Sequence, residues 1–98
     1  MARAHDPAED RAPARRRLVA MRAHVSHDSH SLLRILTDAG RLSLILRRIS
    51  VRPCDTDPDT RHMSAVFEIP ESCVLDAAAL AARFSRHVGI SELICRIM

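Results

Sequence analysis

Two periodicities alternate along residues 17–98, and their order is the feature that most constrains the fold. Apolar side chains first recur at every second position from Val19 to Val25, which predicts a β-strand with one apolar face. After the polar segment 26–29 the spacing changes to three and four residues. This second spacing predicts one buried stripe of a helix. The stripe consists of Leu32, Ile35, Leu36 and Ala39.

Strand patterns return after this helix. Residues 44–51 predict a second strand, and the parity of its apolar side chains shifts, which predicts a bulge or strong twist at Arg47–Arg48. Residues 53–60 have the composition of a hairpin loop. A third strand is expected over 63–69 and a final strand over 90–98, with a helix between them. The apolar stripe of that helix consists of Ala77, Leu80, Phe84 and Val88.

Polar and glycine residues mark the expected helix ends, because short side-chain oxygens cap N-termini and glycine accepts the left-handed conformation after a C-terminus. The expected end residues are Asp28 or Ser29 and Gly40 for the first helix, and Ser72 or Asp76 and Gly89 for the second.

The order β-α-β-β-α-β predicts one α+β domain. Two right-handed crossovers joined by a hairpin give a four-stranded antiparallel sheet of order 4-1-3-2 with both helices on one face, the ferredoxin-like βαββαβ sandwich. The other sheet face is left without helices. It mixes apolar and charged side chains, which favours pairing with a second copy or a partner. Its expected residues are Ala20, Arg22, His24, Val66, Glu68, Ile94 and Arg96.

Residues 1–16 are rich in Ala, Arg and Pro without periodicity, and we expect a disordered tail before the domain at 17–98. The net charge is +3, and residues 1–17 hold +2 of it, five Arg against three acidic residues. The nearly neutral body argues against a strong nucleic-acid footprint. Phe67 and Phe84 are the only aromatic residues, so base stacking is nearly excluded.

The three cysteines are an odd number at wide spacing, which predicts neither a disulfide scaffold nor a structural zinc site and fits a reducing cytoplasm. Cys73 is expected to be exposed in a loop, and Cys95 to pack in the core. We find no signal peptide and no apolar stretch near the ~20 residues that span a bilayer. A cytoplasmic protein with no cofactor, no metal and no enzymatic activity is expected.

Three segments in order resemble the ACT domain, the small regulatory module of amino-acid metabolism. They are the alternating strand followed by HDSHSLLRIL at 27–36, LILRRISV at 44–51, and LAARFSRHVGISEL at 80–93, which is similar to the family's helix ending in a GV-x-x-V entry to the last strand. The resemblance covers about residues 17–98 and implies the same βαββαβ fold.

Within this family the chain is most similar to the short small subunit of acetolactate synthase. The resemblance implies a chain without an active site, a homodimer that docks on a large catalytic subunit. That subunit would hold thiamine diphosphate, flavin and magnesium, and docking would raise its activity or make it respond to a branched-chain amino acid. A stand-alone amino-acid sensor and a transporter module are other roles open to ACT domains.

Effector-binding ACT domains commonly carry Asn/Asp-x-Pro-Gly-x-Leu at the turn into the first helix, where the glycine lets backbone amides approach a carboxylate. The aligned candidate effector site consists of His27, Asp28, Ser29, His30, Ser31 and Leu32. Ser29 and His30 replace Pro and Gly, and Asp28 would repel a carboxylate. A structural or activating subunit insensitive to feedback is therefore favoured.

Two alternative functions come from other features. His24, His27 and His30 form HxxHxxH, and imidazoles bind Zn, Ni or Cu, so a metal sensor is conceivable. They are expected on a strand, in a turn and on a helix, and therefore need not converge. An RNA-binding module is the second alternative, although by parity Phe67 should point towards the helices.

A group of arginines in and after the bulged second strand forms the candidate partner-binding site. Arg47, Arg48 and Arg52 could contact carboxylates or phosphates. They could equally form a solvated strand edge that prevents sheet-to-sheet aggregation.

Overall fold

A computed structural model describes residues 17–27 and 30–98. The expected tail at 1–16 and the expected N-cap residues Asp28 and Ser29 lie outside the described residues.

The described chain forms six elements in the predicted order. They are β1 (Arg17–Ser26), α1 (His30–Arg41), β2 (Ile45–Pro53), β3 (Thr60–Ile69), α2 (Ala77–Phe84) and β4 (Ile90–Ile97). The strands pair antiparallel in one sheet of order β2-β3-β1-β4, which is the predicted order counted from the opposite edge. The ferredoxin-like α+β architecture is confirmed.

One face of the sheet and both helices share an aliphatic core. Alternate residues of β1 and β3 lie opposite each other and are buried, as in the pair Val19 and Phe67 and the pair Met21 and Ala65. The helices complete this core with four buried side chains, which are Ile35, Ala39, Leu80 and Phe84. Full burial of one such large side chain stabilises the fold by about 1.5–3 kcal/mol, which explains why apolar parity predicted the strand faces.

The predicted bulge in β2 is confirmed. Leu46 lies opposite Phe67 and Arg48 opposite Val66, so Arg47 is the extra residue of the register shift. The insertion lets Leu46 and Ile49 share the helix-covered face despite their odd spacing, because a bulge shifts the side-chain parity by one residue.

The predicted end of the first helix is wrong. The helix continues through Gly40 to Arg41, and Ser43 instead takes the left-handed conformation, with φ 61°. The Ser43 N–H donates to the Gly40 carbonyl at 2.9 Å and the Leu44 N–H to the Ala39 carbonyl at 3.0 Å. These two bonds define a Schellman cap. Leu44 and Ala39 are both buried, so burial of Leu44 sets the cap position rather than the glycine.

The predicted second helix is too long. It ends at Phe84, and Val88 is 76% exposed rather than part of the buried stripe. Gly89 is left-handed, with φ 86°, but it leads into β4 instead of ending the helix. At the other end Asp76 is the N-cap, and its Oδ1 accepts a hydrogen bond from the Ala79 N–H at 2.8 Å.

Cys73 is buried in the loop before α2, which corrects the expectation of an exposed thiol. Its carbonyl accepts a hydrogen bond from the guanidinium of Arg17 at 3.1 Å. Cys95 is partly buried against the core, as expected, and burial raises the pKa of its thiol to about 11. Within 17–27 and 30–98, all three cysteines are unbridged.

Candidate functional site

The candidate effector segment is divided between the protein interior and the surface. Ser31 is buried, and its hydroxyl donates to the Val88 carbonyl at 2.8 Å, while Leu32 packs against the core. His27 and His30 are exposed. Ser31 and Leu32 therefore hold the start of α1 in place, and the assignment of this segment as an effector site stays a prediction.

Gly89 is the residue against which this segment closes. The Ser26 N–H donates to the Gly89 carbonyl at 2.9 Å, and a β-carbon on Gly89 would lie 2.1 Å from Ser31 Oγ. The end of β1, the first turn of α1 and the entry to β4 meet here with no room for a side chain. Gly89 is thus the sequence signal that explains why Ser31 is buried.

The helix-free face of the sheet, called the open face below, holds the more chemically varied side chains. Because strand residues of one parity share a face, cross-strand register arranges them in rows. One row consists of Arg52, His62, His24 and Ser91, and the next of Ser50, Ser64, Arg22 and Ile94. A third row consists of Arg48, Val66, Ala20 and Arg96. Polar side chains therefore predominate in these rows, and β3, β1 and β4 each contribute one apolar side chain, Val66, Ala20 and Ile94.

Positive charge is concentrated on the open face. Its arginines are Arg22, Arg47, Arg48, Arg52 and Arg96, and its carboxylates are Glu68 and Glu92. Five cations against two anions leave a side-chain charge of +3, with histidines counted as neutral. The rest of the described chain carries six arginines and six carboxylates, which cancel. The small total charge of the chain does not reveal that its positive charge is concentrated on one face of the sheet.

His24 is the centre of a polar cluster on this face. Its Nδ1 lies 3.0 Å from Glu92 Oε2, and its ring meets the ring of His62 edge to face, with 4.4 Å between centroids. Glu92 sits where the pairing of β1 with β4 shifts register, and it has a positive φ of 50°. A shallow groove of about 620 Å³ lies over this cluster and is lined also by Arg22, Arg52 and Ser64 among others.

The candidate partner-binding arginines all reach the open face. Arg47 Nη1 lies 3.3 Å from Glu68 Oε1, across the bulge. Arg48 and Arg52 are exposed and share the parity of the open face. Because β2 is an edge strand, these side chains are accessible from the edge and from the face alike.

A second ionic cluster joins the two helices. The buried carboxylate of Asp38 in α1 accepts bonds from Arg83 Nε at 3.0 Å and Arg83 Nη2 at 2.6 Å, and His87 Nε2 lies 3.1 Å from its second oxygen. The hydrogen bond from Arg83 lowers the pKa of Asp38, against the opposing effect of burial. Sequence reasoning missed this cluster because its members lie 45 and 49 residues apart.

The histidines of HxxHxxH do not form a metal centre. His24 belongs to the open-face cluster, His27 to the turn after β1, and His30 begins α1. In residues 17–27 and 30–98, no group of three or more His, Cys, Asp or Glu side chains could hold a metal ion.

The hairpin loop between β2 and β3 is held by its own carboxylate. Asp57 Oδ1 accepts from the Asp59 N–H at 2.9 Å and Oδ2 from the Thr60 hydroxyl at 2.8 Å. The bond from the Asp59 N–H is the main cause of the lowered pKa of Asp57. In the same loop, the bond with Thr56 lowers the pKa of the Cys54 thiol. The carboxylate of Asp57 therefore organises the hairpin turn.

No sequence-family model and no curated protein matches this chain. Solved structures do. The chain resembles the C-terminal domain of the MgtC protein from Mycobacterium tuberculosis, with a TM-score of 0.61 and 15% identity over 84% of this chain and 87% of that one. It also resembles an uncharacterized protein from Thermotoga maritima, with a TM-score of 0.59 and 10% identity over 85% of this chain and 98% of that one. Identities this low show the fold alone.

Across the part of the chain that the structure describes, neither helix has the length and apolar character needed to cross a bilayer.

Proposed function

We propose that this chain is a non-catalytic regulatory or accessory domain of the ACT type, which acts by binding another protein. The observation that carries the proposal is the open face, a four-stranded surface that neither helix of the described residues covers and that concentrates a charge of +3. A surface that mixes charge with apolar area is typical of protein–protein contacts.

Apolar side chains on and beside this face support the proposal. Ile94 on the open face is 51% exposed, and Ile45, which lies opposite Glu68 at the start of β2, is 54% exposed. Ile45 lies near Arg47 and Arg48 on β2, and Ile94 lies opposite Arg22 at the other edge of the sheet. Apolar side chains beside guanidinium groups are the composition that interfaces favour, because arginine combines charge with an apolar stem.

The resemblance to the acetolactate synthase small subunit makes the large catalytic subunit of that enzyme the first partner to test. The MgtC neighbour is, by its description, a C-terminal domain of a longer protein. Use of this fold as a module beside other protein parts therefore has a structural precedent. A homodimer formed through the same open surface or its edges belongs to the same proposal.

A weak response to amino-acid effectors is part of the proposal. Ser31 and Leu32 are engaged in packing the first turn of α1, and this engagement supports a site that binds effectors weakly or not at all. We therefore propose that the chain activates or stabilises its partner without mediating feedback by a branched-chain amino acid.

Mixing the chain with an acetolactate synthase large subunit tests this function. We expect a complex on size-exclusion chromatography and a higher turnover rate. The double variant Arg48→Glu/Arg52→Glu should weaken the complex at least tenfold, whereas Arg34→Glu on α1 should leave it unchanged. No complex and no change in rate would rule out this partner.

RNA binding is a second candidate, and the observation that favours it is the charge of +3 on the open face. The described open face offers no aromatic ring for stacking except the imidazoles of His24 and His62, since Phe67 is buried among the helices. A gel-shift titration distinguishes the two candidates. Retardation that decreases steeply with salt would support RNA binding, and its absence would leave the protein partner.

A further inference from the structure

We propose that the groove over His24 binds a small molecule bearing phosphate or carboxylate oxygens. The groove, called the cationic groove below, is defined by Arg22, His24, Arg52, His62, Ser64 and Glu92. All four strands contribute to it. Its volume of about 620 Å³ lies within the range typical of small-molecule sites, about 300–1,000 Å³.

The register of the sheet brings hydrogen-bond donors together at this point. Arg22 lies opposite Ser64, and Arg52 lies opposite His62, in two neighbouring rows of the same face. Arg22 and Arg52 lie on strands separated by β3, which places them about 10 Å apart across the sheet, a distance that two long guanidinium side chains can span around one small ligand. Guanidinium groups hold carboxylates and phosphates by paired N–H bonds, and a hydroxyl can donate a further bond.

The carboxylates near the groove are already engaged. Glu92 contacts His24 at 3.0 Å, and Glu68, farther along the face, contacts Arg47 at 3.3 Å. Among the residues that the structure describes, no hydrogen bond or ion pair involves the guanidinium groups of Arg22 and Arg52. The groove therefore holds two guanidinium groups against one carboxylate, Glu92, which contacts His24, and neither guanidinium has a partner among the described residues, so an anion would satisfy both.

The bulge in β4 holds one wall of the groove, Glu92, in a defined conformation. A non-glycine residue with positive φ is strained, and it persists only where its surroundings hold it. Here the strained backbone of Glu92 brings its carboxylate to Nδ1 of His24. His24 in turn contacts the ring of His62. This chain of contacts fixes both imidazoles in the groove that Arg22 and Arg52 also line.

Titration of the isotope-labelled full chain with inorganic phosphate and with citrate, at constant ionic strength, tests the site by nuclear magnetic resonance. We expect saturable shifts at one site per chain, confined to residues 22–24, 50–52, 62–64 and 91–94. Tighter binding of phosphate assigns a phosphate-bearing ligand, and tighter binding of citrate assigns a polycarboxylate. Shifts that never saturate with either anion, or that spread over every arginine, would overturn the proposal.

Variants separate a built site from general surface charge. Arg22→Gln/Arg52→Gln should weaken anion binding at least tenfold, whereas Arg34→Gln/Arg41→Gln, which removes the same two charges from α1, should leave it within twofold. Equal losses in both variants would overturn the site. If the double variant does not fold, Arg52→Gln alone, on the exposed edge strand, should weaken binding at least threefold. Because no partner protein is present, this outcome is independent of the proposed function.

Discussion

The two faces of the sheet differ in how strongly packing constrains their side chains. The helix-covered face of β1 and β3 is apolar and almost inaccessible, and residues such as Val19 and Phe67 share one buried cluster with the core residues of both helices. The open face interleaves arginine, histidine and serine with small apolar residues. The covered face is under packing constraints, whereas the open face can vary in composition without unfolding the domain. Function is therefore expected to concentrate on the open face.

The two faces should differ most in how much the free energy of unfolding falls when a side chain is truncated to alanine. Phe84→Ala, in the core, should lower the free energy of unfolding by about 3–5 kcal/mol, because it removes contacts and leaves a cavity. Ile94→Ala on the open face should lower it by less than about 1 kcal/mol. Urea denaturation measures both. A loss at Ile94 as large as that at Phe84 would mean that the open face is part of a core.

The two glycines offer a second contrast. Gly89→Ala should destabilise the fold by about 2–3 kcal/mol, because its φ is 86° and the new β-carbon meets Ser31 Oγ at 2.1 Å. Gly40→Ala should stabilise it by about 0.5–1 kcal/mol, because this helical position has no atom within 4 Å of a new β-carbon. Thermal unfolding of both variants is the measurement.

A double-variant cycle sharpens this glycine prediction. Ser31→Ala removes the clashing oxygen, so Gly89→Ala should cost less in that background than in the wild type. Equal costs in the two backgrounds would show that the contact does not cause the destabilisation.

Loss of an ion pair should cost more stability on the helix side of the sheet than on the open face. Asp38→Asn should cost about 2 kcal/mol at neutral pH, because it weakens charge-assisted bonds to Arg83 at a buried site. Glu92→Gln, whose carboxylate is 73% exposed, should change stability by less than about 0.5 kcal/mol. Chemical denaturation at pH 7 compares them. Similar costs would remove the distinction between a structural pair and a surface pair.

The pH dependence of stability follows from the lowered pKa of Asp38. A carboxyl group whose pKa is lower in the folded than in the unfolded state contributes stability above its unfolded pKa, about 3.9. That contribution is lost as the pH falls through the folded pKa. Between pH 5 and pH 2 the wild type should therefore lose more stability than Asp38→Asn. Parallel curves would contradict the role of this carboxylate.

The smallest effect is expected for the exposed arginines of β2. Arg48→Gln/Arg52→Gln should leave the melting temperature within about 2 °C of the wild type, because neither side chain is buried. Differential scanning calorimetry checks this. A drop of more than about 5 °C would show that these residues stabilise the sheet and would weaken their interpretation as partner contacts.

The sequence was most informative where local periodicity and burial agree. The alternation through Val19 and Val25 and the parity shift around Arg47 predicted the strand faces and the bulge, because each reflects how one strand packs against the core. Gly40 was misleading because burial of Leu44, a nonlocal effect, moved the cap to Ser43. Local helix propensity alone could not predict that Leu44 would be buried.

The candidate site was less accessible to sequence reasoning. His24 was noticed for its spacing from His27 and His30, but its contacts are His62 and Glu92, which reach it from two neighbouring strands. Such groups become visible only once the register is known. The charge of +3 on the open face was hidden for the same reason, since total charge does not record on which face each arginine lies.

Methyl-labelled nuclear magnetic resonance of the chain with the acetolactate synthase large subunit tests most directly whether recognition resides on the helix-free face. The account predicts that the methyl signals of Val66 and Ile94 broaden on addition of the subunit, while that of Leu33, exposed on α1, stays sharp. Broadening at Leu33 with Val66 and Ile94 unaffected would place the contact on the helices and contradict the account.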